Sequence, residues 1–192
     1  MCFFRRRKKP QVALLFGSFN PIHEGHLAIL RYLIDHTKAA EVRLVVSPQS
    51  PFKAGQGLVD NAEKRLEDAR EAVSDAGLAV KVSDVEFHLP EPWYTIDTLH
   101  FLQQQEPDKE FVLVMGGDNI ASVDRWYNGI ELLREFQIWV YPRPGTDATQ
   151  FITRLTANYP TKGIVYFADA PQNPISSTQI RSRLAEAEKE NP

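Results

Sequence analysis

Short apolar runs that stop at glycine or proline, and then give way to segments of helical period, constrain this chain more than any other feature. Val12–Phe16 ends at Gly17, Val42–Val46 runs into Ser47-Pro48, Phe111–Met115 meets Gly116-Gly117, and Ile138–Tyr141 meets Pro142. Runs this short and this apolar suit strands covered on both faces. Val80–Phe87 reads as a further strand and Ile164–Phe167 as the last. Between them, Leu27, Leu30, Leu33 and Ile34 repeat at three- and four-residue spacing, which predicts a helix from Gly25 to about Asp35. Asp60 and Glu63 resemble a capping box for a helix through Ala76, closed by Gly77. Thr95 is placed to cap a helix carrying Ile96, Leu99 and Leu102. Phe151–Tyr159 reads as helical, and Ser176 with Gln179 opens a C-terminal helix. Strands alternating with helices predict an α/β fold: a single Rossmann-like domain whose mostly parallel, twisted sheet is flanked by helices and followed by a C-terminal helical segment.

Right-handed crossovers in such a sheet bring the strand-to-helix loops to one edge, at the carboxyl ends of the strands, where ligands bind. The unusual residues fall there: 17–26, 48–53, 116–119 and 141–145. The predicted domain spans residues 12–190, behind a basic arm (1–11) that holds five consecutive cations, Arg5 to Lys9. The formal charge is −3, so without those five cations the body is plainly acidic. A nucleic-acid binder would carry a basic folded face, so no nucleic-acid partner is expected. Cys2 is the only cysteine, which excludes an internal disulfide or a cysteine-based zinc site. No apolar run approaches the roughly 18 residues of a membrane span. A cytoplasmic protein without a membrane partner is the expectation, and a homo-oligomer is compatible with the sequence.

The chemistry concentrates in FGSFNPIHEGHLAIL, residues 16–30. No Gly-Lys-Ser/Thr follows Gly17, so this is not a Walker A loop, nor is it the three-glycine dinucleotide fingerprint. It is nonetheless rich in donors. Gly17 permits close backbone approach, and the helix opening near Gly25 aims free N–H groups and its positive end at the same point. His23 and His26 stand at that helix mouth, either as caps or as donors to an anion. No third residue completes a zinc site, and neither Ser18 nor Ser47 lies in a Gly-x-Ser-x-Gly elbow. At the far end, Ile175-Ser-Ser-Thr-Gln-Ile-Arg181 places hydroxyls on a helix's first turn and a guanidinium one turn on. Read alone this is a capped helix. Beside the first loop it is a second helix end suited to anionic oxygen.

These two segments together resemble the paired signatures of the nucleotidyltransferase superfamily: Gly-Gly-Thr-Phe-Asp-Pro with His-x-Gly-His, and Ile-Ser-Ser-Thr-x-Ile-Arg. Trp93-Tyr-Thr-Ile-Asp-Thr-Leu99, Gly116-Gly-Asp118, Arg125-Trp-Tyr127 and Arg143-Pro-Gly145 follow in an order similar to nicotinate-nucleotide adenylyltransferases. The resemblance runs from about Val12 to Arg183. Phe16, Ser18 and Asn20 depart from the signature's glycine, threonine and aspartate. The Gly-Ser-Phe-Asn-Pro form is also that of relatives preferring nicotinamide mononucleotide.

The resemblance implies joining of ATP and nicotinate mononucleotide to give deamido-NAD and pyrophosphate. It implies that His23, His26 and Arg181 are catalytic, and that Gly17, Ser18, Phe19, His23, His26, Ser177, Thr178 and Arg181 meet the ATP phosphates. Gly116 and Asp118 would lie near ATP's sugar and base. Lys53 would hold the mononucleotide phosphate, and Thr95, Trp126, Tyr94 and Tyr127 would surround the pyridine. Mg2+ bridging the ATP phosphates is the implied cofactor, with no fixed protein metal ligands. From the residues alone, Asp118 could instead cap a helix, Trp126 and Tyr127 could be core aromatics, and Lys53 a solvated loop lysine. The competing functions are transfer to nicotinamide mononucleotide or phosphopantetheine, and a nucleotide-binding regulator without turnover.

Overall fold

A computed structural model describes residues 8–49 and 61–190. Six strands form one sheet: β1 (Gln11–Gly17), β2 (Glu41–Val46), β3 (Val80–Ser83), β4 (Glu110–Gly116), β5 (Gln137–Tyr141) and β6 (Ile164–Tyr166). The order is β3-β2-β1-β4-β5-β6, and all five pairings are parallel. The helices are α1 (Glu24–His36), α2 (Ala62–Asp75), α3 (Thr95–Gln105), α4 (Gly117–Ile120), α5 (Gly129–Glu135), α6 (Ala148–Asn158) and α7 (Ser177–Glu190).

Alternation along each strand sorts the core into two layers. Leu14, Leu113 and Ile138 face α3, α5 and α6, packing with Leu99, Leu132 and Leu155. Ala13, Leu15, Val112 and Val114 face α1 and α2, packing with Leu30, Leu33, Leu66 and Ala69. Both faces are covered, which explains why the strands read as continuous apolar runs.

The chain winds outward from β1 to β3, then crosses back to β4 on the other side of β1. The order therefore reverses between β1 and β4. A crevice opens at such a point, beyond the carboxyl ends of the strands. Gly17 ends β1 and Gly116 ends β4, so the fold brings them to the two lips of that crevice.

Two expectations are corrected. Strand β3 stops at Ser83, and a 3₁₀ turn covers Val85–His88. The Phe87 N–H donates to the Asp84 carbonyl at 2.9 Å, and Ser83 Oγ accepts from the Val85 N–H at 3.4 Å. Serine and aspartate thus close a turn at the point where a ladder would continue. Thr95 is the first residue of α3 rather than its cap; that position belongs to Tyr94, whose carbonyl accepts from the Asp97 and Thr98 N–H groups. Helices α4 and α5 occupy a stretch that carries no long apolar period. Gly77 does close α2, with φ at +61°, while Asp60 lies outside the described residues.

At the opposite, amino edge of the sheet, charges neutralise one another. The Arg43 guanidinium donates to Glu41 and Glu106, and Lys109 reaches both carboxylates. These partners hold the Glu41 and Glu106 carboxyls down to about 2, with the Arg43 hydrogen bond the largest cause in each. Both pKa values are depressed by folding, so their contribution to stability is present above the ordinary carboxyl value and is lost as pH falls towards 2.

Leu30 is fully buried in the layer that holds α1 against the sheet. Leu30→Ala is expected to cost about 2–5 kcal/mol of stability, measured by chemical unfolding. A cost under about 1 kcal/mol would mean that α1 is not anchored as described.

Candidate active site

The α1 helix begins with two imidazoles that cap it reciprocally. His23 is the N-cap, and its Nδ1 accepts from the Gly25 N–H at 3.1 Å. His26 Nδ1 accepts in turn from the His23 N–H at 3.3 Å. The capping-box role usually taken by serine and glutamate is here filled by histidines. Their rings stack with centroids 3.8 Å apart, and Phe19 meets His26 edge-on at 5.0 Å. A side chain at residue 25 would put its Cβ 2.9 Å from the His23 ring, so the glycine between the histidines is a steric requirement.

This geometry fixes the tautomers. An Nδ1 that accepts a hydrogen bond has its lone pair engaged, so a neutral ring carries its proton on Nε2. Both rings also stay neutral. The His26 pKa is pushed down to about 3, first by burial and then by the neighbouring His23 and Arg143. His23 is lowered by burial and by Arg143. Each imidazole therefore offers one N–H donor and no free lone pair.

The loop before α1 is tightly held. Phe19 takes a left-handed backbone, with φ at +43°, and buries its ring beneath Gly17. A Cβ at residue 17 would lie 2.9 Å from that ring. The Phe19 side chain thus supports the loop and His26 from below; only its backbone remains for a ligand. From the other side, Arg65 is 3% exposed and donates to the carbonyls of Ser18, Ser47 (2.9 Å) and Pro48. It ties the ends of β1 and β2 together. Among the described residues no carboxylate pairs with it, and burial lowers its pKa.

The two ends of the chain meet at this loop. Arg181 Nη1 donates to the Asn20 carbonyl at 2.6 Å, and Ser177 Oγ donates to the Pro21 carbonyl at 3.0 Å. The expected capping box forms: the Ser176 N–H donates to Gln179 Oε1 at 3.1 Å, and the Gln179 N–H to Ser176 Oγ at 3.3 Å. Docking spends some of the expected donors. Ser177 commits its only hydroxyl proton to Pro21. Thr178 Oγ1 accepts from Arg181 at 3.2 Å and keeps its own proton to give.

A cleft of about 650 Å³ opens at the reversal point of the sheet. Gly17, Ser18, Tyr94, Thr95, Asp118, Trp126 and Tyr127 all line it, so seven expected site residues share one cavity. Tyr94 and Tyr127 stack at 4.1 Å, although Tyr127 is 52% exposed. Asp118 does not cap α4, whose cap position is Gly116; its carboxylate lies over Gly116, where no Cβ would fit. Lys53 lies outside the described residues.

Three residues here escape a sequence reading. Arg143 faces Asp118 at 3.9 Å and is close enough to lower both histidines; two flanking features, Pro142 and Pro144, make it look like a turn. Arg65 had a signal: it begins the Arg65, Ala69, Val73 stripe, a cation on the buried face of α2. Glu86 is 1% exposed and forms part of the cleft wall, and burial pushes its carboxyl up against hydrogen bonds from Ser47 and Thr98. Nothing in Val80–Phe87 marked it. Among the described residues, no cluster of three histidine, cysteine or acidic side chains could hold a metal.

The cytidylyltransferase-like family model matches residues 14–183. A Bacteroides fragilis protein named probable nicotinate-nucleotide adenylyltransferase is 42% identical over 177 residues, covering 92% of this chain and 83% of that protein. A Christiangramia forsetii protein of the same name is 38% identical over 184 residues, covering 95% and 90%. In structure, the chain is similar to the Plasmodium falciparum nicotinic acid mononucleotide adenylyltransferase complexed with NaAD. The TM-score is 0.75 at 18% identity, covering 90% of this chain and 83% of that one, which establishes the shared fold.

The His26 imidazole is expected to keep neutral, Nε2-protonated NMR shifts between about pH 5 and pH 8. Its folded pKa is depressed, so it titrates only as pH falls towards 3, and that protonation destabilises the fold. A midpoint near the ordinary 6.5 would overturn the burial argument, and Nδ1-protonated shifts would overturn the tautomer assignment.

Proposed function

The chain belongs to the nicotinate-nucleotide adenylyltransferase family, and from that premise we propose that it transfers the adenylyl group of ATP to nicotinate mononucleotide. An oxygen of the mononucleotide phosphate attacks the α-phosphorus in line. The new P–O–P bond forms as the bond to the β-phosphate breaks, and its electron pair leaves with pyrophosphate. The products are deamido-NAD and pyrophosphate.

The observation that carries this reading is the convergence of α1 and α7 on one loop, with neutral Nε2–H imidazoles and Arg181 beside it. The nucleophile supports it as well. A phosphate monoester loses its second proton near pH 6, so it is ionised at neutral pH and needs no base. The histidines suit that chemistry, since neither has a lone pair free to take a proton. Their role is to donate to phosphate oxygens where charge builds on the α-phosphate and the leaving group. Gly17, Ser18, Thr178 and Arg181 would join them, with three guanidinium protons still unspent on Arg181. Arg143 adds a cation on the Asp118 side.

Tyr94, Thr95, Trp126 and Tyr127 would hold the pyridine ring, and Gly116 with Asp118 the ATP sugar. The imidazole and guanidinium donors at this site cannot ligate a cation, and no cluster of three histidine or acidic side chains stands there among the described residues. A divalent ion, Mg2+ by preference, would therefore sit on the phosphates and supply charge neutralisation. Among the described residues no helix is long and apolar enough to cross a membrane.

Pyrophosphate release from ATP is the direct test, with each mononucleotide supplied in turn. Release is expected to be faster with nicotinate than with nicotinamide mononucleotide; the reverse would reassign the acceptor. Binding of both without release would point to a regulator. His26→Ala is expected to lower kcat about 10²–10³-fold, the scale of losing one preorganised donor. An unchanged kcat would remove His26 from the chemistry.

A further inference from the structure

Two buried side-chain atoms among the described residues have no hydrogen-bond partner: Nε of Arg65 and Oε2 of Glu86. The first belongs to a clamp whose other two nitrogens donate to the carbonyls of Ser18, Ser47 and Pro48. The second is different, because Glu86 forms part of the wall of the cleft. Its Oε1 accepts from Thr98 Oγ1 at 2.9 Å, and Ser47 also bonds the carboxyl. A buried carboxyl oxygen with no partner is costly to keep, so a fold that retains one invites a ligand donor.

The position of Glu86 says which donor. Thr98 lies on α3, one turn beyond Tyr94 and Thr95, at the aromatic end of the cleft. Ser47 follows β2, and its N–H donates to the Gly17 carbonyl at 2.9 Å, at the phosphate-loop end. Bonded to both, Glu86 stands between the two ends. A pyridine mononucleotide lying along this cleft has the same order, ring then ribose then phosphate. The group facing Glu86 is the sugar. A ribose hydroxyl can give or take a proton, so it satisfies this carboxyl in either protonation state, whereas a phosphate could not.

We propose that Glu86 is a specificity-determining residue of the acceptor site, whose free oxygen takes a hydrogen bond from a ribose hydroxyl of the pyridine mononucleotide. This rests on the reading of the cleft as the acceptor site given above. Ser47 and Thr98 position the carboxyl, and the Arg65 grip on the Ser47 carbonyl holds Ser47 in turn.

The test compares nicotinate mononucleotide with its 2′,3′-dideoxyribose analogue. Wild-type protein is expected to use the analogue about 10- to 100-fold less efficiently by kcat/KM, the range for a hydrogen bond to a charged or buried partner. In Glu86→Leu the two acceptors should become equal within about threefold while KM for ATP is unchanged, and Glu86→Gln should restore most of the preference. A purely structural Glu86 would lower activity with both acceptors and leave their ratio intact. That outcome, or a wild-type protein indifferent to the hydroxyls, overturns the proposal. If Glu86→Leu does not fold, the wild-type acceptor complex decides: a ribose hydroxyl within about 3.2 Å of Oε2 supports the assignment and one beyond about 4 Å refutes it. Should the protein prefer nicotinamide mononucleotide, the dideoxy comparison on that acceptor keeps the question separate, because both nucleotides carry the same ribose.

Discussion

The reciprocal cap of two imidazoles at the start of α1 is the interaction on which the site depends. A histidine pair at a helix entrance looks like a choice between structure and chemistry. Here the two coincide. Each Nδ1 takes a backbone N–H, which ends the helix correctly, and the same bond forces the ring proton onto Nε2. Capping thereby chooses the tautomer whose Nε2–H is left to serve as the donor proposed above. Stacking at 3.8 Å adds a further constraint, because two imidazolium rings at that separation would repel; neutrality is favoured by geometry as well as by burial. Gly25 is the steric condition for the whole device, since any larger residue would meet the His23 ring.

That cap has to be held in place, and three elements distant in sequence do so. Phe19 stores backbone strain of about 1–3 kcal/mol in its left-handed conformation, and the burial of its ring under Gly17 and against His26 offsets it. Arg65 fixes the carbonyls that end β1 and β2. From the far end of the chain, Ser177 and Arg181 bind the carbonyls of Pro21 and Asn20. Those carbonyls would otherwise project negative partial charge towards the place proposed above for the phosphates. Covering them with hydroxyl and guanidinium protons reverses the sign of that part of the loop.

The sheet and the helix starts that meet at its carboxyl edge were legible because their signals are local. Apolar runs stopped by Gly17, Gly116 and Pro142 mark strand ends, and His23-Glu-Gly-His26 with Ser176–Arg181 marks helix starts. What stayed hidden depends on contacts between segments far apart in the chain. Glu86 is indistinguishable from a solvated strand residue until Thr98 and Ser47 are seen to close over it. Arg143 reads as part of a proline turn until β5 is registered beside β4, which pairs Gly116 with Tyr141. Helices α4 and α5 escaped for another reason. With four and seven residues they are too short to display a period, and the Val123–Gly129 fold that joins them leaves no room for a Cβ at Gly129.

The distribution of charge explains how a chain of net charge −3 can attract two polyanions. At the amino edge of the sheet, Arg43 and Lys109 are neutralised by Glu41 and Glu106, so that edge contributes little field. At the carboxyl edge the balance is broken deliberately. Among the described residues Arg65 is buried with no carboxylate partner, Arg181 is bonded to a carbonyl and a hydroxyl, and Arg143 faces a single carboxylate, Asp118, at 3.9 Å. A buried guanidinium that is not neutralised is expensive in the empty protein, because burial disfavours its charge. On the function proposed above, arriving phosphate oxygens would offset that cost, since the same low-dielectric surroundings would strengthen the attraction. Neutral histidines fit this arrangement better than charged ones would. In the role proposed above they would donate hydrogen bonds without adding two more cations beside Arg143 and Arg181.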